Sequence, residues 1–270
     1  SIFSENGWGE DDGYGADWQY YENEYGYSTE IYGGNGLTVY ASDDITINDI
    51  ETTENAGNGA ELDAEGDITI TDSLFGHPEG GGNGDLGHFY ISNYFEYDEG
   101  DSSADFYLDY HAGTGLIADA GGSITLAEIF AAGNANTGAE LDAYLGNISI
   151  TDSEFSYNGW YAGFFDDEDG YSYLEDYMED FCDEIGSYNS FVFNPCDDSD
   201  YIYVQASNFH FDVNAIDSSD EFGNSYYIDQ YGGGGLDVES DNGSIALNGV
   251  EAIENGGDGA YLESQDGVTV

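Results

Sequence analysis

Apolar and polar residues alternate along short stretches of this chain, and the stretches recur. Leu37-Thr38-Val39, Ile45-Thr46-Ile47, Ile68-Thr69-Ile70 and Ile148-Ser149-Ile150 place an apolar side chain at every second position, the period of a strand with one buried face. Turn residues separate these stretches: Ser42-Asp43-Asp44, Glu65-Gly66-Asp67, Gly121-Gly122-Ser123 and Asp241-Asn242-Gly243. Self-comparison aligns three core blocks, residues 36–75, 115–155 and 235–270, each holding two coils of roughly twenty residues. The first coils open at Gly36, Gly115 and Gly235, the second at Gly59, Gly138 and Gly259. Six coils therefore make one period of 270 residues.

One coil cannot bury its own apolar face, so neighbouring coils must stack. Stacking is expected to bring Leu37, Leu62, Leu116, Leu141, Leu236 and Leu262 into one column. Ile45, Ile68, Ile124, Ile148, Ile245 and Val268 form a second, and Ile47, Ile70, Leu126, Ile150, Leu247 and Val270 a third. Parallel pairing at about 4.8 Å per coil gives a rise of roughly 29 Å per period. Asn55, Asn134 and Asn255 each fall four residues before the glycine of the next coil. Stacked there, they are expected to form a structural asparagine ladder that satisfies turn backbone.

The consensus Gly-x-x-Leu-x-Ala…Gly-x-Ile-x-Ile-x-x-Ser-x-Phe-x-x-Asn resembles the right-handed parallel β-helix of filamentous-haemagglutinin-like and pectate-lyase-like proteins. The resemblance covers the three core blocks. It implies an all-β fold, a β-solenoid, whose hand follows the right-handed rule for parallel crossovers. Three insertions, residues 4–34, 76–113 and 156–233, interrupt the coils after a Ser-x-Phe phrase and are expected on one edge. They carry the aromatic residues in bulk. In the third, Tyr201–Val204 and Phe209–Val213 read as strands of a side sheet, and residues 173–181 as a short helix.

The chain's end runs into its beginning. Ile68-Thr69-Ile70-Thr71-Asp72-Ser73-Leu74-Phe75 is a complete phrase; Val268-Thr269-Val270 is its first part and Ser1-Ile2-Phe3 its last. Ser1, Ile2, Phe3, Val268 and Val270 are thus the expected head-to-tail interface, by which one copy continues the helix of the next. The partner implied is the chain itself, as an assembled polymer or a covalent tandem array.

Charge narrows the classes of function. The chain has 58 Asp and Glu, no Lys and no Arg. Nucleic acid is excluded as a partner, because neutralising phosphates takes basic residues. No apolar run reaches the length of a membrane span. Cations, basic proteins and neutral glycans remain. A chain without a single Lys or Arg offers trypsin-like proteases no cleavage site, which fits a secreted, protease-exposed material at the cell surface. Glu10, Asp11 and Asp12, then Asp166, Asp167 and Asp169, then Asp197, Asp198 and Asp200 are the candidate Ca²⁺ ligands, since clustered hard oxygens suit that ion. The alternative for each is a solvated acidic loop. Cys182 and Cys196 are expected to form a disulfide, in keeping with an extracellular setting.

Catalysis is not expected. A resemblance to pectate lyases implies basic residues at the site, which this sequence lacks, and the four His are scattered in the insertions. The leading expectation is a repeat of an extracellular filament, sheath or giant surface protein. The rival is an adhesin that binds glycans or a host surface through the aromatic insertions.

Overall fold

The structure, a computed structural model, describes residues 1–4, 6, 17–23, 26–77, 82–84, 88–98, 101–159, 208–215, 225–231 and 233–270. The regular elements among them are all strands, and no helix there is long and apolar enough to cross a membrane. Tyr201–Val204 and the helix expected over 173–181 lie outside the described residues.

Two sheets are parallel. The first stacks β4 (Leu37–Ala41), β7 (Ala60–Ala64), β11 (Leu116–Ala120), β13 (Ala139–Ala143), β18 (Leu236–Ser240) and β20 (Ala260–Ser264) in that order. The second stacks β5 (Ile45–Asn48), the first half of β8 (Ile68–Phe75), the first half of β12 (Ile124–Ala132), β14 (Ile148–Thr151), β19 (Ile245–Asn248) and β21 (Val268–Thr269). It also carries a further row: β1 (Ile2–Ser4), β6 (Glu51–Thr53), the second halves of β8 and β12, β15 (Glu154–Ser156) and a bridge at Glu251. Chain order and stacking order coincide, so each successive stretch adds one layer. Leu62, Ile70, Phe75, Leu116, Ile124, Ile148 and Phe155 are wholly buried in one continuous core.

The register corrects one expected column. Leu37 faces Ala60, followed by Leu116, Ala139, Leu236 and Ala260. Leu62 and Leu141 instead share a column with Val39, Ala118, Val238 and Leu262. The opening glycines set this register, and aligning on leucine shifts alternate layers by two residues. Ile45, Ile68, Ile124, Ile148, Ile245 and Val268 do form one column, and Ile47, Ile70, Leu126, Ile150 and Leu247 another, while Val270, expected to extend the latter, lies one residue past the last paired position, Thr269.

The corrected register exposes an alternation of bulk. In the third row Phe3 faces Thr52, then come Phe75, Ala131 and Phe155; the bridge Glu154–Glu251 puts Ala252 next. Two positions earlier the same registers give Ser1, Ile50, Ser73, Ile129, Ser153 and Val250. Layers with Leu at the first inward position carry Thr or Ala in the third row; layers with Ala there carry Phe. Bulk is exchanged between corners from layer to layer, so the core fills evenly along its axis.

The third sheet is antiparallel. Each of the three excursions contributes a hairpin: β2 (Asp17–Asn23) with β3 (Gly26–Tyr32), β9 (His88–Asp98) with β10 (Asp101–His111), and β16 (Asn208–Ala215) with β17 (Ser225–Tyr231). The segment Phe209–Val213 lies within β16. β3 pairs with β9 and β10 with β16, which joins the hairpins into one six-stranded sheet.

Thr52 is fully buried between Phe3 and Phe75, and its hydroxyl finds no hydrogen-bond partner among the described residues. Thr52→Val is expected to stabilise the chain by about 1 kcal/mol. Ala131→Phe, which sets three rings in succession, is expected to destabilise it by about 1–3 kcal/mol. Urea titrations of both variants check this; a neutral Ala131→Phe would remove the alternation as a packing constraint.

Candidate assembly interface

Six of the nine large hydrophobic side chains exposed among the described residues lie at the two ends of the stack. Ile2 and Tyr40 are at one end; Ile253, Tyr261, Val268 and Val270 are at the other. Val268 continues the Ile45 column yet is 43% exposed, and Val270 is 89% exposed. β4 and β20 form the two edges of the first sheet, so each presents one side of its backbone unpaired within it.

The asparagine row is longer than the sequence suggested. Asn6, Asn55, Asn83, Asn134, Asn158 and Asn255 follow one another through the stack. Each Nδ2 donates to the next Oδ1, at 2.8, 2.8, 3.0, 3.0 and 3.2 Å. The same Oδ1 also accepts the backbone N–H of the preceding asparagine. The second Nδ2 hydrogen goes to the third-row carbonyl one layer back: Phe3, Thr52, Phe75, Ala131 and Phe155 in turn. Buried turn backbone is thereby satisfied where water does not reach. Asn55, Asn134 and Asn255 are brought together as alternate members of the row. Asn6, Asn83 and Asn158 fall in ranges read as insertions, yet they belong to the stack. Ser1–Trp8 and Ser153–Trp160 agree at six of eight positions, which sets Asn6 opposite Asn158.

The opening glycines are pressed between this row and the carbonyl of the next layer's opening glycine. A Cβ on Gly36, Gly59, Gly115, Gly138 or Gly235 would lie 2.5–2.7 Å from the amide of Asn55, Asn83, Asn134, Asn158 or Asn255 respectively. Gly259, the sixth, differs. A Cβ there meets nothing closer than the Ala252 carbonyl at 3.1 Å. The sequence keeps glycine where the chain itself crowds a Cβ far less than at the other five.

The outward face of the first sheet is acidic. Its two outward rows are Thr38, Glu61, Ile117, Glu140, Asp237, Tyr261 and Tyr40, Asp63, Asp119, Asp142, Glu239, Glu263. Desolvation holds the carboxyls of Asp119, Glu140, Asp142, Asp237 and Glu239 above their ordinary range, and neighbouring carboxylates add to it at Asp119, Glu140, Asp142 and Glu239. The Thr114 hydroxyl donates to Glu140 at 2.7 Å and opposes the shift there. Tyr40 donates to Glu61 at 3.0 Å and Tyr261 to Glu263 at 2.8 Å; these bonds raise both phenols, which stay neutral. At a corner of the second sheet, a shallow hollow of about 510 Å³ lies beside Ser1 and Ile2 and is lined in part by Asp72 and Glu128. A hydrogen bond with Asp72 raises Glu128.

The other expected sites lie elsewhere. Glu10, Asp11, Asp12, Asp166, Asp167, Asp169, Asp197, Asp198, Asp200, Cys182 and Cys196 are outside the described residues. Among the described residues no group of three or more His, Cys, Asp or Glu is placed to hold a metal ion. No protein-family model, curated protein or solved structure is significantly similar to the chain.

Two predictions follow from this geometry. Asn134→Leu removes a fully buried link that gives two side-chain bonds and receives two from Asn83. It is expected to lower stability by about 3 kcal/mol or more, because the partners are left unpaired; an unchanged denaturation midpoint would mean that the row is incidental. The raised carboxyls bind protons more tightly folded than unfolded. Their contribution to stability is therefore complete below the ordinary carboxylate range and is lost as pH rises through the elevated values. Melting at low salt is expected to occur at higher temperature near pH 4 than near pH 7.5. A higher melting temperature at the neutral pH contradicts the assignment.

Proposed function

We propose that this chain is one unit of a longer right-handed parallel β-helix, in which the two parallel sheets are faces of the same six coils. Its role is structural: a repeat of an extracellular filament, sheath or surface array, with units joined covalently or by assembly. The observation that carries this reading is the phase of the asparagine row and of the alternating core at its two ends. The last layer opens with Gly259-Ala260, the type that elsewhere carries Ser-x-Phe followed by asparagine. Ser1, Phe3 and Asn6 of the next unit supply that set. Phe3 then follows Ala252 in the alternation, Asn6 accepts from Asn255, and its amide fills the space over Gly259.

The side sheet supports the same reading. Hairpins follow Asn6, Asn83 and Asn158, one for every two coils. Two coils rise about 9.6 Å, and two hairpin strands span the same distance. Coils and side sheet therefore continue at one pitch, β17 of one unit lying where it can pair antiparallel with β2 of the next. The tyrosine-rich strands of that sheet, with Tyr20, Tyr21, Tyr90, Tyr94, Tyr107 and Tyr110 among them, favour a second role in which the filament adheres to neutral glycans.

Gly259→Ala separates stacking from folding. The isolated chain should lose much less stability than Gly138→Ala costs, since the Cβ at Gly259 needs the Ala252 carbonyl, 3.1 Å away, to give only a few tenths of an ångström. End-to-end association, followed by sedimentation velocity and electron microscopy, should fall by tenfold or more, because Asn6 of the next unit meets the new methyl. Gly138→Ala, by contrast, should destabilise the chain itself. Association of Gly259→Ala equal to that of the natural sequence would count against continuation of the helix.

A further inference from the structure

Self-repulsion at a formal net charge of −58 opposes any contact between two copies, so the ends must be built to limit it. We infer that Tyr40 and Tyr261 form an electrostatic seam, the site that lets one copy accept the acidic face of another. The inference rests on the stacking reading and adds the residues that make it permissible.

Continuing the register of β18 and β20 places β4 of the next copy beside β20, with Leu37 facing Ala260. Thr38 then faces Tyr261, and Tyr40 faces Glu263. Within the chain, each pair of neighbouring strands on this face carries two to four carboxylates at the outward positions. The crowded step is β13 to β18, where Glu140 and Asp142 meet Asp237 and Glu239. The seam carries one, Glu263, which accepts from the Tyr261 hydroxyl and is otherwise flanked by the uncharged Thr38 and Tyr40. Both tyrosines are exposed on the edge strands, Tyr40 at 69% and Tyr261 at 52%. As diagonal neighbours across the seam, their rings come within reach of one another. The acidic rows are therefore interrupted where two copies meet, and a neutral donor stands between Glu263 of one copy and Asp63 of the next.

Association at neutral pH and low salt, measured by sedimentation velocity, tests the seam. Tyr40→Glu sets a new carboxylate against Glu263 and removes the ring contact, so the critical concentration should rise about tenfold. High salt should recover much of the loss. Tyr40→Phe keeps the position neutral and should stay within about threefold of the natural sequence. Thr125→Glu adds the same charge to the exposed face of mid-stack β12 and should leave association unchanged. If Tyr40→Glu associates like the natural sequence while Gly259→Ala does not, the seam is wrong and the stacking stands. If the natural chain stays monomeric, association of free chains is overturned, and a covalent tandem of two copies decides the seam. There Tyr40→Glu in the second copy should melt below Tyr40→Phe, and equal melting would overturn it.

Discussion

Even filling of a narrow core is the constraint on which the rest of this structure depends. A stacked layer has little width, so each inward side chain must be matched against those directly above and below. The chain meets this by alternating two kinds of layer: Leu37, Leu116 and Leu236 with small third-row residues, and Ala60 and Ala139 with Phe75 and Phe155. Serine and Ile or Val alternate in the neighbouring column for the same reason. Three further features share this two-layer beat: the phenylalanine positions, the hairpins, and the choice of which layer can follow which.

Charge is the opposing term. With no Lys or Arg, the chain cannot neutralise its carboxylates internally. The outward rows of the first sheet place Asp and Glu on strands about 4.8 Å apart. The physical answer visible on that face is partial: several carboxyls are raised, and Thr114 gives Glu140 a hydrogen bond. The edge strand β4 turns Thr38 and Tyr40 outward, and β20 turns out Tyr261 beside Glu263. Among the described residues, side chains satisfy backbone groups at the corners: amides in the asparagine row, and in the turn row the carboxylates of Asp44 and Asp67, the Ser123 hydroxyl and the Asn147 amide, which accept the N–H groups of Asp67, Ser123, Asn147 and Ser244. The apolar columns and the asparagine row hold the interior, and the carboxylates stand at the turns and on the outward face.

The strands and their parallel stacking were legible in the sequence because period-two alternation and opening glycines recur at fixed distance. The isoleucine columns followed directly. The leucine column did not, since Leu37 and Leu62 look equivalent by residue type, whereas the register aligns the opening glycines, whose space is limited by asparagine and by the next layer's backbone. Asn55, Asn134 and Asn255 were legible by their spacing. Asn6, Asn83 and Asn158 were hidden because excursions follow them and break that spacing, although the similarity of Ser1–Trp8 to Ser153–Trp160 pointed to two of them. The hairpins of the excursions were largely missed. The strands within each hairpin are neighbours in sequence, but β3 pairs with β9 and β10 with β16 across different excursions, a long-range relation that local pattern does not encode. The seam proposed at Tyr40 has no sequence signal of its own; it is inferred only once register shows which outward residues are neighbours.

The central claim is that the core of one unit continues into the next with its layer phase kept. Fibre diffraction or cryo-electron microscopy of assemblies of this chain tests it most directly. The account predicts an axial spacing of about 4.8 Å, a unit repeat of about 29 Å along the same axis, and polar filaments in which Phe3 follows Ala252. Units meeting side by side, or an axial repeat that is not a whole number of two-layer steps, would contradict it.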